Sequence, residues 1–250
     1  RDHGGTFIDT GNLYAAWLPG CSGGESESVI GEWLTSRNCR KDMILGTKLG
    51  FDFADTKGGL SASEIALQCD KSLARLKTDY LDIYWSHRDD YDVSQHETME
   101  AFDKLVKAGK VRAIGASNFT APRLAEALAV SARLGLPRYE SLQPLYNLYD
   151  RQDFEQTFAP ICRAEGLGVI SFYALASGFL TGKYRTQDDV DASKRKRSNS
   201  KYMTERGFHI LAAMDEVAAE TGAKLAGSRG LELNEAADRE AGRLRAEQNP

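Results

Sequence analysis

The sequence predicts an α/β protein of the (β/α)8 barrel class, also called the TIM barrel. Short and mostly apolar runs alternate with longer amphipathic stretches, which is the pattern of a parallel sheet covered by helices. Polar residues stand at or just after the ends of these runs: Asp9, Lys48, His87, Ser117, Gln143 and Ser171. The carboxyl ends of barrel strands converge on one mouth, so we expect these side chains to meet there.

The strands and helices follow one another in regular order. Strands are predicted over residues 6–10, 43–48, 81–85, 111–117, 141–146 and 168–172. Helices are predicted over residues 26–36, 61–76, 94–107, 121–134 and 153–165. The second helix has the clearest pattern, because Ser61 and Glu64 have the spacing of a capping box. One face of that helix is predicted to be buried, comprising Ile65, Cys69, Ser72, Leu73 and Leu76.

An open, doubly wound sheet is the alternative arrangement of the same units. It is disfavoured because no G-x-G-x-x-G follows the first visible strand, and because its strand ends would be spread along a wide edge. Six units are fewer than eight, so we expect the first and last strands of a barrel to be missing from the given chain. We expect residues 231–249 to form a final surface helix and residues 1–250 to form one barrel domain.

Composition narrows the classes of partner. The 32 basic and 36 acidic residues give a net charge of -4, without the basic footprint of a nucleic-acid-binding protein. The one basic run, over residues 194–197, is interpreted as a solvated loop. We found neither a run long enough to span a membrane nor a signal-peptide pattern, and we expect no membrane or nucleic-acid partner. An oligomer is compatible with these features.

Cysteine and histidine usage argues against a metal site. The cysteines lack C-x-x-C spacing and the histidines lack ligand spacing: Cys21, Cys39, Cys69, Cys162, His3, His87, His96 and His209. Scattered cysteines in a chain of this size are typical of reduced thiols. We therefore expect a cytoplasmic protein with no metal.

Four strand-end or loop residues have the chemistry of a proton-donating group. Alone, Lys48 is explained by an ion pair, His87 by an ordinary polar contact and Tyr14 by surface packing. Together with Asp9, these three residues can form a group in which the tyrosine donates a proton. An unperturbed tyrosine has a pKa of about 10, a neighbouring ammonium favours its phenolate, and a carboxylate keeps that ammonium charged and in place. A histidine there can hydrogen-bond a substrate carbonyl oxygen.

These residues resemble the signature of the aldo-keto reductase family. Phe7-Ile8-Asp9-Thr10 with Tyr14 resembles its first motif, and Lys48 and His87 resemble the remaining members of its tetrad. Residues 115–119 resemble its G-x-S-N segment and residues 142–147 its Q-x-x-Y-N strand. Residues 171–184 resemble the family's pyrophosphate-binding stretch. Each motif is weak alone, but their shared order, from residue 1 to about 225, is specific.

The resemblance implies hydride transfer from NADPH to an aldehyde or ketone, with Tyr14 as proton donor. It implies that nine residues bind the cofactor: Ser117, Asn118, Gln143, Phe172, Tyr173, Ala174, Leu175, Gly178 and Lys183. The first three would hold the nicotinamide carboxamide, and Phe172 would stack on the ring where the family usually has Tyr or Trp. Tyr173-Ala174 replaces the usual Ser-Pro. The residues that would bind the 2′-phosphate are expected between residues 225 and 227, so NADPH rests on the resemblance alone.

A regulatory role is the alternative. The potassium-channel β subunits keep this fold, cofactor and tetrad, so a non-catalytic or slow-turnover NADP(H)-binding subunit fits the same motifs. The long loop over residues 15–25 also resembles that of the microbial and channel-subunit branch. Trp17, Phe51 and Trp85 are candidates for an aromatic substrate pocket, although simple packing explains each of them as well.

Overall fold

The computed structural model describes residues 4–193 and 196–222. The chain divides into two compact units. The first comprises Arg1–Pro144 and Phe154–Ile170, and the second comprises Leu145–Asp153 and Ser171–Pro250. The expected helix over residues 231–249, the 2′-phosphate segment and part of the basic run lie outside the described residues. The single domain expected over residues 1–250 stays a prediction.

The first unit is built on a six-stranded parallel sheet in which every strand pairs with the next one along the chain. Its strands are β1 Phe7–Asp9, β2 Ile44–Leu49, β3 Leu81–Ser86, β4 Val111–Ser117, β5 Tyr139–Gln143 and β6 Gly168–Val169. Its α-helices are α1 Glu25–Arg37, α2 Ala62–Leu76, α3 Gln95–Lys107, α4 Ala121–Leu134 and α5 Ala159–Glu165. A 3-10 turn covers Arg40–Asp42, and a π-helical turn, Phe154–Phe158, precedes α5. The predicted order of strands and helices is confirmed.

One hydrogen bond shows that this sheet curls. Gln143 at the end of β5 donates from Nε2 to Asp9 Oδ2 at the end of β1, at 3.1 Å. In a flat sheet four strand spacings would separate these strands by about 19 Å, which two short side chains cannot bridge. The sheet therefore curves as barrel strands do, and the barrel is confirmed over the open sheet.

The fifth and sixth predicted strands each end three residues earlier than expected. The ladder of β5 ends at Gln143 because Pro144 has no N–H to donate to a neighbouring strand. The sixth strand was predicted to reach residue 172, but β6 has two residues. Phe172 instead forms an isolated parallel bridge with Leu145.

Helix α2 buries the predicted face. Its five predicted residues are all buried: Ile65, Cys69, Ser72, Leu73 and Leu76. The capping box is only half formed. Ser61 Oγ accepts from Glu64 N at 3.4 Å, but the Glu64 carboxylate accepts from Gln68 Nε2 one turn later.

All four cysteines are free, and burial raises the pKa of the Cys69 thiol to about 12, which makes it a poor nucleophile.

The second unit is helical where it is described. Its helices are α6 Gln187–Asp191, α7 Lys196–Asn199 and α8 Glu205–Thr221, with 3-10 turns at Ala176–Thr181 and Ser200–Tyr202. Its core contains Phe179 stacked on Tyr202, with ring centroids 5.6 Å apart. Thr186 and Asp189 form a complete capping box at the start of α6. Arg185 binds both oxygens of Asp215 in α8, at 2.7 and 2.8 Å.

Trp85 is fully buried on the face of the sheet that carries Asp9 and Lys48. Room for its indole comes from glycines on the strands to either side. A Cβ on Gly115 would lie 2.3 Å from Trp85 Cε3, and a Cβ on Gly46 would lie 3.1 Å from Trp85 Nε1.

We predict that Gly115→Ala lowers the free energy of unfolding by about 1–3 kcal/mol, because overpacking forces side chains off their preferred rotamers. Chemical denaturation measures the change. Gly5→Ala is the matched control, since a Cβ there meets no atom within 4 Å and its φ is not positive. Equal stability of the two variants would show that the interior yields to the added methyl group.

Candidate active site

Lys48 occupies the centre of the candidate site, at the end of β2. Asp9 pairs with Gly46 across β1 and β2, so Asp9 and Lys48 project from the same face of the sheet. The Lys48 side chain is 0% exposed. Its Nζ donates to Asp9 Oδ2 at 2.5 Å, to Thr10 O at 2.7 Å and to Tyr14 OH at 2.9 Å. All three N–H groups of the ammonium are thus satisfied, which a buried charge requires.

Asp9 serves two partners through one oxygen. Its Oδ2 accepts from Lys48 and from Gln143 Nε2. The carboxylate lies nearer to solvent than the ammonium, with 26% of its side chain exposed. Asp9 therefore compensates the Lys48 charge from the open side of the site.

Tyr14 is held over the backbone by the loop that follows β1. Asn12 N donates to Lys48 O at 3.1 Å, and Tyr14 N donates to Gly11 O at 3.0 Å. A Cβ on Gly11 would lie 3.1 Å from Tyr14 Cε1, so the absence of a side chain there lets the ring lie close to the chain. The phenol oxygen consequently points at the Lys48 ammonium, which can stabilise negative charge on it.

His87 lies just after β3, with its backbone N donating to Leu49 O at 2.8 Å. Its ring meets Tyr14 edge to face, with centroids 5.9 Å apart, and meets Phe51 at 4.8 Å. Burial, and secondly the positive charge of Lys48, lower the pKa of His87 to about 3. The imidazole is neutral near pH 7, so it can donate a hydrogen bond but is not a source of protons there.

Three predicted cofactor residues form a hydrogen-bonded chain with the tetrad. Ser117 Oγ donates to Gln143 O at 2.9 Å, and Asn118 Nδ2 donates to Ser117 Oγ at 3.1 Å. The same Asn118 nitrogen donates to His87 O at 2.8 Å. Since Gln143 also donates to Asp9, the chain runs from β1 through β5 and β4 to the residue after β3.

The backbone of Asn118 has a φ of 53°, in the left-handed region that asparagine tolerates better than most residues. Its side chain is exposed, whereas Ser117 and Gln143 are buried. Asn118 is thus the member of the chain that lies open to solvent.

The remaining predicted cofactor residues belong to the second unit. Phe172 and Tyr173 meet edge to face at 5.3 Å, and Tyr173 O accepts from Asn147 Nδ2 at 3.2 Å. Ala174 and Leu175 lead into the 3-10 turn, where Gly178 N donates to Leu175 O at 2.8 Å.

Gly178 has a φ of 93°, and a Cβ there would lie 3.3 Å from Lys183 Nζ, so the lysine folds back over this turn. These contacts are internal to the second unit. The assignment of Phe172, Tyr173, Ala174, Leu175, Gly178 and Lys183 to a cofactor stays a prediction.

Sequence reasoning missed Glu27, a fully buried carboxylate of α1. It accepts from Thr47 Oγ1 at 2.5 Å and from Arg75 Nε at 2.6 Å. Thr47 directly precedes Lys48 in the sequence. No signal in the sequence distinguishes it from the acidic residues around it, because its partners lie 20 and 48 positions away. Glu27 fixes the end of β2 from the helix side.

The three aromatic candidates separate in the structure. Trp17 is 66% exposed and lies 6.0 Å from the Tyr14 ring, and Phe51 contacts His87. Trp85 is instead fully buried, as simple packing would have it. Among the residues that the structure describes, no group of three or more His, Cys, Asp or Glu side chains could hold a metal ion. No helix in the described ranges is long and apolar enough to cross a membrane.

The fold and the site define a barrel protein in which a buried lysine donates a hydrogen bond to a tyrosine hydroxyl at the carboxyl ends of the strands. Comparison with known proteins gives the family: residues 1–227 match the Aldo/keto reductase family, and the chain belongs to it.

Similar proteins include reductases and channel subunits. Norsolorinic acid reductase B of Dothistroma septosporum is 35% identical over 77% of this chain and 50% of its own length. Aldo-keto reductase YhdN of Bacillus subtilis is 29% identical over 86% of this chain and 62% of its own. A probable voltage-gated potassium channel subunit beta of Oryza sativa subsp. japonica is 32% identical over 90% of this chain and 69% of its own. The chain spans about half the length of the norsolorinic acid reductases it matches.

The neutral state of His87 predicts a pH-dependent stability. The folded protein keeps this imidazole neutral down to about pH 3, whereas the unfolded chain takes up a proton below the usual pKa of 6.5. Its contribution to stability is complete above pH 6.5 and is lost as the pH falls from there toward 3. In His87→Gln we expect the slope of unfolding free energy against pH in this window to decrease by up to about 1.4 kcal/mol per pH unit.

Urea denaturation at several pH values measures this slope. His96→Gln changes an exposed histidine and is the matched control for the substitution itself. A slope that is the same in His87→Gln and in the unsubstituted protein would contradict a neutral His87 in the folded state.

Proposed function

We propose that this protein reduces an aldehyde or ketone with NADPH and that Tyr14 donates the proton. The observation that carries the proposal is the buried Lys48 ammonium, 2.9 Å from the Tyr14 hydroxyl and compensated by Asp9. Membership of the aldo/keto reductase family and the names of the reductase relatives support a carbonyl reductase. NADPH supplies the hydride when it is bound.

Tyr14 delivers the proton that the carbonyl oxygen requires as it becomes an alcohol. Loss of that proton leaves a phenolate, and the Lys48 ammonium stabilises it through a charge-assisted hydrogen bond, roughly twice as strong as a neutral one. Asp9 keeps Lys48 in position, so the ammonium does not have to move during the reaction. The proton donor is therefore organised before substrate binds.

His87 orients the substrate. As a neutral imidazole it offers one N–H, which can hydrogen-bond the carbonyl oxygen beside Tyr14. Since the pKa of His87 is lowered to about 3, it has no spare proton to give near neutrality. This difference supports our proposal that Tyr14 donates the proton and that His87 positions the substrate.

The hydrogen-bonding groups of the first unit fit a nicotinamide carboxamide. Asn118 and Gln143 use their amide nitrogens in contacts with His87, Ser117 and Asp9, and each then has its amide oxygen left to accept an N–H from a ligand. We propose that these oxygens hold the carboxamide and that Ser117 keeps Asn118 oriented. Stacking by Phe172, pyrophosphate binding within residues 171–184 and the preference for NADPH over NADH follow from the family resemblance. A small carbonyl substrate and a cytoplasmic location belong to the same proposal.

Tyr14→Phe tests the proton donor. We expect kcat for carbonyl reduction to fall about a hundredfold or more, because the general acid is lost, while the Kd for NADPH stays near that of the unsubstituted protein. Steady-state oxidation of NADPH with a panel of aldehydes and ketones measures kcat, and fluorescence titration measures Kd. Tyr91→Phe, at a 70% exposed tyrosine, is the matched control.

Two outcomes would count against this proposal. Retention of kcat in Tyr14→Phe would assign the proton to another group. The unsubstituted protein could also make only one slow turnover with each aldehyde and ketone of the panel. This result would favour the regulatory-subunit alternative over a reductase.

Asn118→Gly tests the carboxamide site without straining the left-handed backbone. One lost hydrogen bond of about 0.5–1.5 kcal/mol corresponds to an increase in the Kd for NADPH of up to about tenfold. NADH is the internal control, because both cofactors carry the same carboxamide and both affinities should fall by the same factor. A loss confined to one cofactor would place Asn118 elsewhere.

A further inference from the structure

Trp85 carries a buried hydrogen-bond donor without an acceptor. Its side chain is 0% exposed, and among the residues that the structure describes its Nε1–H has no hydrogen-bond partner. Native proteins rarely leave a buried N–H in this state, because the group loses its contact with water and gains nothing in return. The indole nitrogen therefore points to a small polar ligand.

Asp9 has an acceptor to offer on the same face of the sheet. Lys48 pairs with Trp85 across β2 and β3, so the two side chains project from one face. Asp9 projects from that face as well, because it pairs with Gly46, two residues before Lys48. Within the described chain, the Asp9 carboxylate accepts its two hydrogen bonds, from Lys48 and Gln143, through Oδ2. Its Oδ1 can still accept from a ligand.

Gly46 lies between the indole donor and the carboxylate acceptor. A Cβ there would lie 3.1 Å from Trp85 Nε1 and 3.4 Å from Asp9 Oδ1, with Ile83 O at 3.7 Å. The two polar atoms thus face the same space in front of the glycine, yet no direct hydrogen bond joins them. One water molecule can span two polar atoms at such a separation. The absence of a side chain on Gly46 leaves room for it.

We propose that one ordered water molecule binds between Trp85 Nε1 and Asp9 Oδ1, and that Trp85 acts through it as a positioning residue for the Asp9 carboxylate. The water accepts from the indole N–H and donates one O–H to Oδ1. Ile83 O is an acceptor for its other O–H, so the water has about 2–4 polar partners, as buried waters do. An anion would be repelled by the carboxylate, and a cation would meet an N–H that cannot accept.

The water completes the hydrogen bonding of Asp9. Lys48 and Gln143 hold Oδ2, and with Oδ1 held by the water the carboxylate cannot rotate without breaking hydrogen bonds at both oxygens. Lys48 consequently keeps its place 2.9 Å from the Tyr14 hydroxyl. The water site is independent of the proposed reductase function, whereas its effect on turnover rests on that function.

NMR spectroscopy of the indole N–H groups in the isotope-labelled protein tests the water directly. The chain has three tryptophans, so Trp17→Phe and Trp33→Phe assign two indole signals and identify that of Trp85. We expect a rotating-frame cross-peak between Trp85 Hε1 and water, of the sign that through-space contact gives and opposite to that of proton exchange. A Trp85 signal without this cross-peak overturns the inference.

Gly46→Ala tests the same site by displacing the water. The new methyl group lies between the two polar atoms, and its neighbours must give by only a few tenths of an ångström. We expect the cross-peak to disappear and kcat for carbonyl reduction to fall about two- to tenfold, the value of one hydrogen bond, with the Kd for NADPH unchanged. Trp85→Phe removes the donor without adding bulk next to Asp9 and should lower kcat by a similar factor.

Gly5→Ala is the matched control, because a Cβ there meets no atom within 4 Å, and it should keep both the cross-peak and kcat. A cross-peak that persists in folded Gly46→Ala places the water elsewhere and overturns the inference. Full kcat in folded Trp85→Phe overturns the positioning role. No turnover of any aldehyde or ketone by the unsubstituted protein overturns the proposed function and the positioning role together, while the NMR measurement still decides the water site. Circular dichroism identifies the folded variants.

Discussion

The buried ammonium of Lys48 is the constraint on which the rest of the site depends. A charge removed from water is tolerated only when its hydrogen-bonding groups find partners. Here the partners come from the end of β1, from the backbone after it and from the loop that carries Tyr14. Satisfying one lysine therefore fixes three parts of the chain relative to one another. The arrangement that would give Tyr14 its chemistry is the same arrangement that makes Lys48 tolerable in the interior.

Asp9 connects this local requirement to the fold. Its Oδ2 receives both the Lys48 ammonium and the amide of Gln143 from β5. Such a meeting of β1 and β5 is available only in a curled sheet, so the curvature brings a second donor to the carboxylate. The hydrogen-bonded chain then continues through Ser117 and Asn118 to the backbone of His87. The charge balance of the site and the course of the sheet are consequently parts of one network.

Periodic features, such as strands and helices, could be predicted from the sequence, whereas individual long-range side-chain contacts could not. Strands and helices were predictable because burial imposes a period on them, and the proximity of Asp9, Lys48 and His87 was predictable because parallel strand ends converge. Glu27 was missed, since a buried carboxylate is marked only by distant partners, Thr47 and Arg75. The pairing of Glu64 with Gln68 in place of a full capping box is likewise a choice between two nearby donors. The roles of the residues in the second unit depend on contacts with a ligand, which no periodicity encodes.

The packing around Trp85 has a consequence for how this interior can vary. Its indole extends toward both neighbouring strands, and Gly46 and Gly115 have no side chains there. The volume next to Lys48 and Asp9 is thus shared among three positions that are far apart in sequence. A smaller residue in place of the tryptophan would leave space that only larger residues at the glycine positions could refill. Substitutions at these three positions are therefore expected to occur together in natural or designed variants.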